Sequence, residues 1–331
     1  MCLKKSRRVI FTLPFFIVIN GTGSSYILTE VVQMRVVEMC NKYLCENVRR
    51  AVMSRNVERA EEIRLRLNKG VRIKYCDSEE RLSYIVSKED IENIYGRLTQ
   101  YSPYAFKEEI NSGYITVEGG YRIGISGTVI EETGEVRNIK NISSMNIRIA
   151  REIKGCCRSV AEYIKGNTII VSPPGAGKTT LLRDIVRLWS NGGKNMCVID
   201  ERNEISGTYM GVSQLDLGER TDVIVNVSKA RGFEMALRAM APDVIAVDEI
   251  GGQADIEAVK AALNCGVSIL CTIHSYNEDE ISKKKGISEL VENRVFDTYV
   301  FMNRNFVENR IEKICDRGLN VIWQGKYLDR C

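Results

Sequence analysis

The stretch that decides the fold lies near the middle of the chain and reads Val171-Ser172-Pro173-Pro174-Gly175-Ala176-Gly177-Lys178-Thr179-Thr180. It follows a short apolar run rich in β-branched residues, 168–171, and precedes a segment with helical spacing, 178–188. A glycine-rich turn between a buried strand and a helix is the context in which the P-loop of nucleotide-binding proteins occurs. The sequence therefore predicts a phosphate-binding loop at this point.

Each part of the loop has a physical role in the predicted site. Its glycines let successive backbone N–H groups point inward as a nest for phosphate oxygens, and the positive end of the next helix points to the same place. We expect Lys178 to reach the β- and γ-phosphates of ATP and the Thr179 hydroxyl to bind Mg²⁺. Ser172 stands where the pattern usually has its first glycine, a position that needs a turn more than close approach to phosphate. The predicted cofactors are therefore ATP and Mg²⁺, and the residues predicted to bind them are Ser172, Pro173, Pro174, Gly175, Ala176, Gly177, Lys178, Thr179 and Thr180.

A second motif follows along the chain and ends in two carboxylates: Pro242-Asp243-Val244-Ile245-Ala246-Val247-Asp248-Glu249. Residues 244–247 predict a buried strand, so Asp248 and Glu249 should lie at its carboxyl end. This is the Walker B arrangement, in which Asp248 holds the magnesium shell and Glu249 polarises the attacking water. Acidic pairs after a strand also occur as ordinary loop residues, but the position after a P-loop favours a functional pair.

Two further segments are predicted at the same carboxyl edge of the sheet, where open α/β sheets bind their ligands. Residues 200–204, Asp-Glu-Arg-Asn-Glu, follow the strand after the P-loop helix. Glu201 and Glu204 are candidates for positioning water, and the alternative is a solvated loop. His274 is the single histidine of the chain and follows the strand predicted over 268–272. It could sense the γ-phosphate and link hydrolysis to movement, although a lone histidine is more often structural.

Arginine is suited to stabilising the charge that develops in phosphoryl transfer. Each arginine near the motifs is, by itself, more simply explained as a surface residue. Together they predict that one acts as an arginine finger, within its own chain or from a neighbouring subunit; the candidates are Arg148, Arg151, Arg220 and Arg238. The predicted catalytic set is Glu249, Glu201, His274, Arg148 and Arg238, with Thr179 and Asp248 as magnesium ligands.

The spacing of apolar residues changes at about residues 155–166, which predicts two domains, 34–154 and 155–331. In the first, helical spacing and strand alternation together predict an α+β fold; helices are expected over 36–52, 56–67, 88–98 and 104–110, and strands over 71–76, 81–86, 114–118, 121–126, 128–131 and 146–150. In the second, buried strands alternate with helices; strands are expected over 168–171, 196–199, 244–247 and 268–272, and helices over 178–188, 229–240 and 255–265. That alternation predicts an α/β fold, a RecA/AAA-like parallel sheet with right-handed crossovers and flanking helices.

Composition is that of an ordinary globular protein. Of 331 residues, 44% are hydrophobic and 27% are charged, and the formal net charge is +4. This net charge is much smaller than that of a dedicated nucleic-acid-binding protein. The sequence also contains no recognisable RNA- or DNA-binding module, so we expect no nucleic-acid partner. The eleven cysteines include no C-x-x-C pair, which excludes the usual spacing of a Cys/His zinc site and suggests a reducing compartment.

Residues 1–33 form an N-terminal extension with conflicting signals. A basic cluster precedes the apolar run 9–19, which Pro14 interrupts and which is too short to span a bilayer. Three interpretations stay open: sequence upstream of a true start at Met34 or Met39, a membrane-contacting tail, or a signal peptide. Export would take an ATPase away from ATP, which disfavours the third.

The motifs, in this order and after an α+β region, resemble those of the type II and type IV secretion ATPases. Over about residues 36–314 the chain is more closely similar to the stage III sporulation protein AA family of endospore-forming bacteria. The stretches that carry this resemblance are 62–66, 98–102, 113–117, 142–151 and the Ser-Pro-Pro-Gly of 172–175. The last stretch accounts for the missing first glycine of the P-loop.

The resemblance implies more than the residues do by themselves. It implies a cytoplasmic motor of the mother cell, peripheral at the membrane facing the forespore, that energises a channel between the two cells. It implies a homo-oligomer, a hexameric ring, with nucleotide between the N-terminal and ATPase domains and membrane proteins of the channel as partners. An arginine that matches Arg148 contacts phosphate in such relatives, which singles out Arg148 among the candidates.

Three functions are compatible with these features. The first is a motor in which ATP hydrolysis drives domain movement in a ring docked on membrane proteins. The alternative is a nucleic-acid-associated P-loop ATPase, since similar modules occur in single-strand-binding proteins. A nucleotide-binding scaffold with little turnover is disfavoured by the intact pair Asp248 and Glu249.

Overall fold

The computed structural model describes residues 29–306 and 310–326. Of the predicted N-terminal extension, only the backbone of residues 29–33 is described, and it belongs to a helix. The apolar run 9–19 and the three interpretations attached to it lie outside the described residues. Among the helices that are described, none combines the length and the apolar character needed to cross a membrane.

The first half of the chain builds an antiparallel sheet that packs against helices. The strands are β1 (Glu62–Arg66), β2 (Gly70–Lys74), β3 (Glu79–Ile85), β4 (Tyr114–Val117), β5 (Tyr121–Glu132) and β6 (Glu135–Arg148), and they pair in the order β3-β2-β1-β6-β5-β4. The helices are α1 (Thr29–Tyr43), α2 (Glu46–Met53), α3 (Lys88–Leu98) and α4 (Lys107–Asn111), with 3-10 turns at Val57–Arg59 and Pro103–Phe106. Their buried side chains form one apolar core, so this half is α+β as predicted.

Short-range signals placed several of these elements correctly. The Ser87 hydroxyl accepts a hydrogen bond from the Asp90 N–H at 3.1 Å, and the Asp90 carboxylate accepts one from the Ser87 N–H at 2.9 Å. This capping box starts α3. The β5–β6 hairpin turns at Thr133 and Gly134, whose φ angles of 53° and 81° fit a tight two-residue turn.

The helix predicted over 56–67 is wrong. These residues form a 3-10 turn followed by the strand β1, in which Ile63 and Leu65 are completely buried. Apolar residues at 57, 60, 63 and 67 also fit a helical spacing, so the alternation of β1 was hidden inside it. β1 is stabilised by its pairing with both β2 and β6. Such pairing depends on the tertiary structure and cannot be read from the strand propensity of the residues themselves.

The two long strands of the β5–β6 hairpin were predicted only in part. β6 starts at Glu135 rather than at residue 146, and its first half is mostly exposed and polar, so it lacks the apolar alternation on which the prediction relied. β5 is continuous through Gly127, where the pairing register shifts. A side chain at Gly127 would collide with the backbone of β6, which explains a glycine in the middle of this strand.

The second half of the chain builds a sheet that is parallel except at one end. Its strands are β7 (Thr168–Ser172), β8 (Met196–Asp200), β9 (Thr221–Val225), β10 (Val244–Val247), β11 (Ser268–His274), β12 (Thr298–Met302), β13 (Ile311–Asp316) and β14 (Val321–Gln324). They lie in the order β14-β13-β12-β7-β11-β10-β8-β9. The helices are α5 (Lys178–Asn191), α6 (Lys229–Ala239), α7 (Gln253–Asn264), α8 (Glu278–Ile281) and α9 (Ile287–Glu292), with a 3-10 turn at Arg158–Tyr163. The predicted α/β fold with a parallel sheet is confirmed.

Four strands of this sheet were not predicted. β9 is an edge strand whose Asp222 and neighbours are partly exposed, so it lacks a continuous apolar run. β12 is fully buried and extends the parallel sheet beside β7. β13 and β14 pair antiparallel beyond it. β12 follows α8 and α9 and contains the apolar run 299–302, a signal that the sequence prediction missed, whereas β13 and β14 are antiparallel and do not alternate with helices.

Successive residues of the central strands face opposite sides of the sheet, and each side has its own helices. Ile245 and Val247 of β10 pack with α6 and α7 in one core. Val244 and Ala246 of the same strand pack with α5 in the other. Because both faces are covered, the central strands are apolar throughout, as parallel sheets require. The helices leave the carboxyl edge of the sheet open, which is where the polar motifs end.

Residues 149–167 connect the two sheets and are held to α5 by Asp184. This carboxylate is 1% exposed and accepts hydrogen bonds from the N–H groups of Gly155 and Cys157, both at 2.9 Å, and from Arg187. Burial by itself would raise the pKa of Asp184, but the two backbone N–H groups and Arg187 outweigh it, so the pKa lies below its ordinary value.

We predict that Asp184→Asn lowers the free energy of unfolding at pH 7 by about 1–3 kcal/mol, because buried N–H groups lose a charged acceptor. A depressed folded-state pKa contributes stability above the unfolded-state pKa, about 3.9 for aspartate, and loses it as pH falls toward the folded-state value. The difference between parent and variant should therefore shrink in urea titrations at acid pH. Asp222→Asn, at an exposed site on β9, is the control and should change stability by less than about 0.5 kcal/mol; equal losses in the two variants would contradict the prediction.

Candidate nucleotide site

The predicted phosphate-binding loop lies between β7 and α5, at the carboxyl edge of the second sheet. Gly175 and Gly177 have φ angles of 70° and 99°, left-handed conformations that glycine adopts without strain. Gly177 is the residue immediately before α5, so the loop leads directly into the positive end of that helix. The loop therefore has the backbone shape that cradles phosphate oxygens.

Ser172 does not take part in the turn of this loop. It is the last residue of β7 and is completely buried. Its hydroxyl donates to the Pro173 carbonyl at 2.8 Å, and its own carbonyl accepts from the Ser275 N–H at 3.2 Å. The residue is part of the sheet, which is the physical reason that serine can replace the usual glycine here.

Lys178 and Thr179 converge on one carboxylate, that of Asp248. The Lys178 ammonium donates to Oδ1 at 3.2 Å, and the Thr179 hydroxyl donates to Oδ2 at 2.7 Å. The side chains of Lys178 and Asp248 are only 12% and 16% exposed. A carboxylate and a hydroxyl that meet at the carboxyl edge are the hard oxygen ligands that Mg²⁺ prefers, so these residues fit the predicted magnesium site.

The ionisation of Asp248 is set by its neighbours. Burial by itself would raise the pKa of Asp248, but the positive charge of Lys178 and the hydrogen bonds from Thr272 and Thr179 outweigh it. The pKa therefore lies below its ordinary value, and the carboxylate is ionised at neutral pH. An ionised, mostly buried carboxylate next to a lysine is suited to hold a divalent cation.

Glu249 and His274 lie together beside Asp248. The Glu249 Oε1 atom is 3.5 Å from His274 Nε2, and its Oε2 atom is 3.7 Å from an Arg202 nitrogen. Glu249 is 38% exposed, and an open cleft of about 200 Å³ reaches it and His274. Water can therefore approach the Glu249 carboxylate, whereas the buried Nδ1 atom of His274 has no hydrogen-bond partner within the described part of the chain.

The loop 200–206 is organised by Asp200, which the sequence placed in the motif without a role of its own. Its buried carboxylate accepts hydrogen bonds from the N–H groups of Glu204, Ile205 and Ser206 at 2.8–3.0 Å. Arg183 of α5, which is also buried, donates to the carbonyl groups of Glu204 and Ile205. The loop is thus a fixed part of the site and not a freely solvated one.

The two predicted glutamates of this loop point to different partners. Glu201 forms an ion pair with Lys229 at the start of α6. The Lys229 side chain is 13% exposed. Glu204 faces the first sheet: its Oε1 atom accepts from Arg122 at 2.6 Å and is 3.8 Å from Arg148. Glu204 therefore joins the two halves of the chain at the nucleotide site.

The structure separates the arginine candidates. Arg148 lies at the end of β6 beside Glu204, and Arg122 is directly opposite it on β5. Arg238 pairs with Glu234 and is 73% exposed in the last turn of α6, at the opposite edge of the sheet. Arg220 donates to the Gly193 carbonyl at that same edge. Arg151 donates to the Ala60 carbonyl, within the first half of the chain.

Arg238 and Arg220 therefore do not reach the nucleotide site of their own chain. A helix between parallel strands runs back from the carboxyl to the amino edge, so the end of α6 is held away from the loop that follows β7. The separation of these two arginines from the P-loop cannot be predicted from sequence spacing, because spacing gives no distance between the ends of different helices and strands.

Several residues at the site were missed by sequence reasoning. Lys229 and Thr272 stand at the ends of predicted elements, and Arg122 lies near the start of another, but none of the three was assigned a role. Arg304 and Arg310 follow β12 and donate to the carbonyl groups of Pro174 and Gly175 at 2.6 and 3.2 Å. The cross-strand position of Arg122 could not have been found by aligning β5 and β6 at their turn, because their pairing shifts register twice between the turn and Arg122; the others depend on tertiary contacts.

Comparison with known proteins shows what this arrangement resembles. The X-ray structure of the ATPase DotB from Legionella pneumophila superposes with a TM-score of 0.53 at 16% identity, covering 87% of this chain and 81% of that one. The pilus retraction motor PilT, solved with bound ADP, gives a TM-score of 0.53 at 15% identity, covering 76% of this chain and 77% of that one. These likenesses show that the chain has the fold of the secretion and pilus ATPases.

Sequence relatives are more specific than structural ones. Stage III sporulation protein AA of Bacillus subtilis strain 168 is 40% identical over 280 residues, which cover 82% of this chain and 91% of that protein. The family described as Sporulation stage III, protein AA, matches residues 34–322. The chain therefore belongs to the stage III sporulation protein AA family.

Proposed function

We propose that this protein binds Mg²⁺ and ATP at the loop 172–180 and hydrolyses ATP as a motor of the secretion-ATPase type. The observation that carries the proposal is the convergence of Lys178 and Thr179 on the ionised, mostly buried Asp248. The shape of the loop and the fold shared with ATPases support the same conclusion. A scaffold would not need the solvent-accessible Glu249 beside that centre.

Each residue of the site has a separate role in the proposed reaction. Lys178 and the loop N–H groups bind the phosphates, and Thr179 and Asp248 hold the metal. Bound Mg²⁺ supplies charge stabilisation for phosphoryl transfer. Glu249 accepts a proton from the water whose oxygen attacks the γ-phosphorus, and ADP and inorganic phosphate are the products. His274, 3.5 Å from Glu249, is placed to transmit the change of charge there to β11.

We also propose that the first half of the chain completes the site. The domain boundary falls between residues 154 and 155, and Arg148 contacts phosphate when the two domains close. In the structure, Glu204 accepts a hydrogen bond from Arg122 and lies 3.8 Å from Arg148. Arginine forms charged hydrogen bonds with phosphate as well as with carboxylate, so on this proposal nucleotide binding would exchange one partner for the other and move the domains.

Membership of the sporulation family supports a cellular role for this motor. We propose that it energises the channel between mother cell and forespore, from the cytoplasmic side of the membrane that faces the forespore. Its partners would be membrane proteins of that channel and further copies of itself in a ring, as a hexamer. The nucleotide would lie where the two domains meet.

We expect Glu249→Gln to keep ATP binding and lose most turnover, on the order of 10²-fold or more, because the amide cannot accept the proton from water. Lys178→Ala should instead lose binding. Calorimetry with ATP and a phosphate-release assay separate the two effects. Glu257→Gln, on the exposed face of α7, is the control and should match the parent. Turnover at the parent rate in Glu249→Gln would remove Glu249 from this role.

A pair of arginine variants tests the closure of the domains. Arg148→Ala should reduce turnover on the order of 10²-fold, as expected for a group that stabilises charge in the transition state. Arg238 is also exposed, 73% against 59% for Arg148, but lies at the far edge of the sheet, so Arg238→Ala should keep turnover in the monomer. Steady-state assays at dilute and high protein concentration check both. Loss in Arg238→Ala only at high concentration would instead assign the finger to a neighbouring subunit.

If the protein forms a ring, its mass in solution should increase when an ATP analogue is added. Light scattering of the protein with a non-hydrolysable ATP analogue and Mg²⁺ should show an oligomer, because the analogue holds the closed form that neighbouring copies recognise. Lys178→Ala is the matched control and should not respond to the analogue. A strict monomer at high concentration, with and without the analogue, would contradict the ring.

A further inference from the structure

One buried hydroxyl, that of Thr272, bonds to both residues of the Walker B pair. Thr272 lies in β11, directly beside β10, and is completely buried. Its Oγ1 atom accepts a hydrogen bond from the Glu249 N–H at 2.9 Å, and its hydroxyl donates to Asp248 Oδ1. No other side chain among the described residues is bonded to both of them.

The direction of these two bonds is fixed by chemistry. A backbone N–H can only donate, so the Thr272 oxygen must accept from Glu249. An ionised carboxylate can only accept, so the single proton of the hydroxyl must point to Asp248. The hydroxyl has one rotor position that satisfies both, and each bond therefore orients the other.

The backbone of Thr272 adds a third contact to the same turn. Its carbonyl accepts from the Ile250 N–H at 3.0 Å. Glu249, between the two bonded N–H groups, has a φ angle of 54°, a left-handed conformation that is unfavourable for a residue with a side chain. The turn after β10 is thus held in an unfavourable shape by β11, and that shape directs the Glu249 carboxylate toward His274.

His274 follows Thr272 by two residues in the same strand, so both side chains face the same side of the sheet. One strand therefore sets the backbone of Glu249 through Thr272 and contacts its carboxylate through His274, 3.5 Å away. Asp248 is bonded from the P-loop side by Lys178 and Thr179. Thr272 is the residue of β11 that joins the hydrogen bonds around Asp248.

We propose that Thr272 is a positioning residue of the ATPase reaction: its hydroxyl fixes the placement of the Glu249 carboxylate and the orientation of Asp248. The inference rests on the proposed function, since it gives Thr272 a task only if Glu249 and Asp248 act on Mg²⁺ and ATP. Thr272 itself touches neither. Its loss should therefore affect turnover and the metal requirement far more than the binding of the nucleotide.

The chain offers a close control in Thr298. Its hydroxyl also accepts from a backbone N–H, that of Lys165 at 3.1 Å, and donates to an oxygen, the Lys165 carbonyl at 2.8 Å. Thr298 is 2% exposed and opens β12 at the amino edge of the sheet, away from the site. Replacing either threonine removes a buried hydroxyl with the same number of bonds, so Thr298→Val controls for the loss of a buried hydroxyl, although the bond that Thr272 donates to a charged carboxylate is the stronger one.

The test compares Thr272→Val, Thr272→Ala and Thr272→Ser with Thr298→Val in phosphate-release assays. Thr272→Val should lower kcat on the order of 10²-fold, the effect of misplacing a reacting group by about 1 Å, and should need more Mg²⁺ for half-maximal rate. Thr272→Ala should also lose turnover. Because alanine puts no methyl group against the carboxylate, this variant replaces Thr272→Val in the test if the valine variant fails to fold. Thr272→Ser keeps the hydroxyl and should restore turnover, and Thr298→Val should lose stability but not kcat. Calorimetry with ATP should give parent-like dissociation constants for all four.

Several results would overturn the inference. Parent-like kcat in Thr272→Val or Thr272→Ala would show that the hydroxyl does not position Glu249. Equal loss in Thr272→Ser and Thr272→Ala would assign the effect to packing, and equal loss in Thr298→Val would assign it to general destabilisation. Absence of turnover in the unaltered protein would overturn the proposed function and the inference with it, whereas an active parent with unaffected Thr272 variants overturns the inference alone.

Discussion

The contact between Asp248 and the pair Lys178 and Thr179 is the interaction on which the rest of the site depends. It joins the end of β10 to the start of α5, two elements that are far apart in the chain. A mostly buried carboxylate is stable there only because the lysine charge and the hydroxyl bonds compensate its desolvation. The parallel sheet makes this possible, since it brings the carboxyl ends of β7, β8, β10 and β11 to one edge.

From that centre the site extends in two directions. Toward β11, Thr272 accepts a hydrogen bond from the backbone of Glu249, and His274 lies 3.5 Å from its carboxylate. Toward the first sheet, the loop held by Asp200 presents Glu204 to the arginines at the ends of β5 and β6. In the proposed function, the first direction would serve the attack of water, and the second would couple hydrolysis to movement of the first half of the chain. The groups nearest the centre, Asp200 and Thr272, are fixed by buried hydrogen bonds, whereas Arg148 is 59% exposed.

Sequence reasoning succeeded where a local pattern has one physical meaning. The glycine-rich loop between β7 and α5, the place of the carboxylates after β10, the capping box of α3 and the glycine turn of the β5–β6 hairpin are all short, and each is set by neighbours in the chain. It failed for β1, whose alternation also fits a helix, and for the polar start of β6, which is a strand because β5 pairs with it. It also assigned Arg238 and Arg220 to a group of candidates that the fold divides between two edges of the sheet.

The sequence by itself determined the glycine-rich loop between a strand and a helix, the place of the acidic pair at the end of a buried strand and the α/β class, because glycine conformations and buried strand patterns are local constraints. Only the tertiary structure decided which polar groups meet. It brought Thr272 to the Walker B pair and Arg122 to Glu204, and it held Arg238 on the far edge. The physical reason is that hydrogen bonds and ion pairs act over a few ångströms in space, and spacing along the chain sets such distances only within one helix, strand or turn.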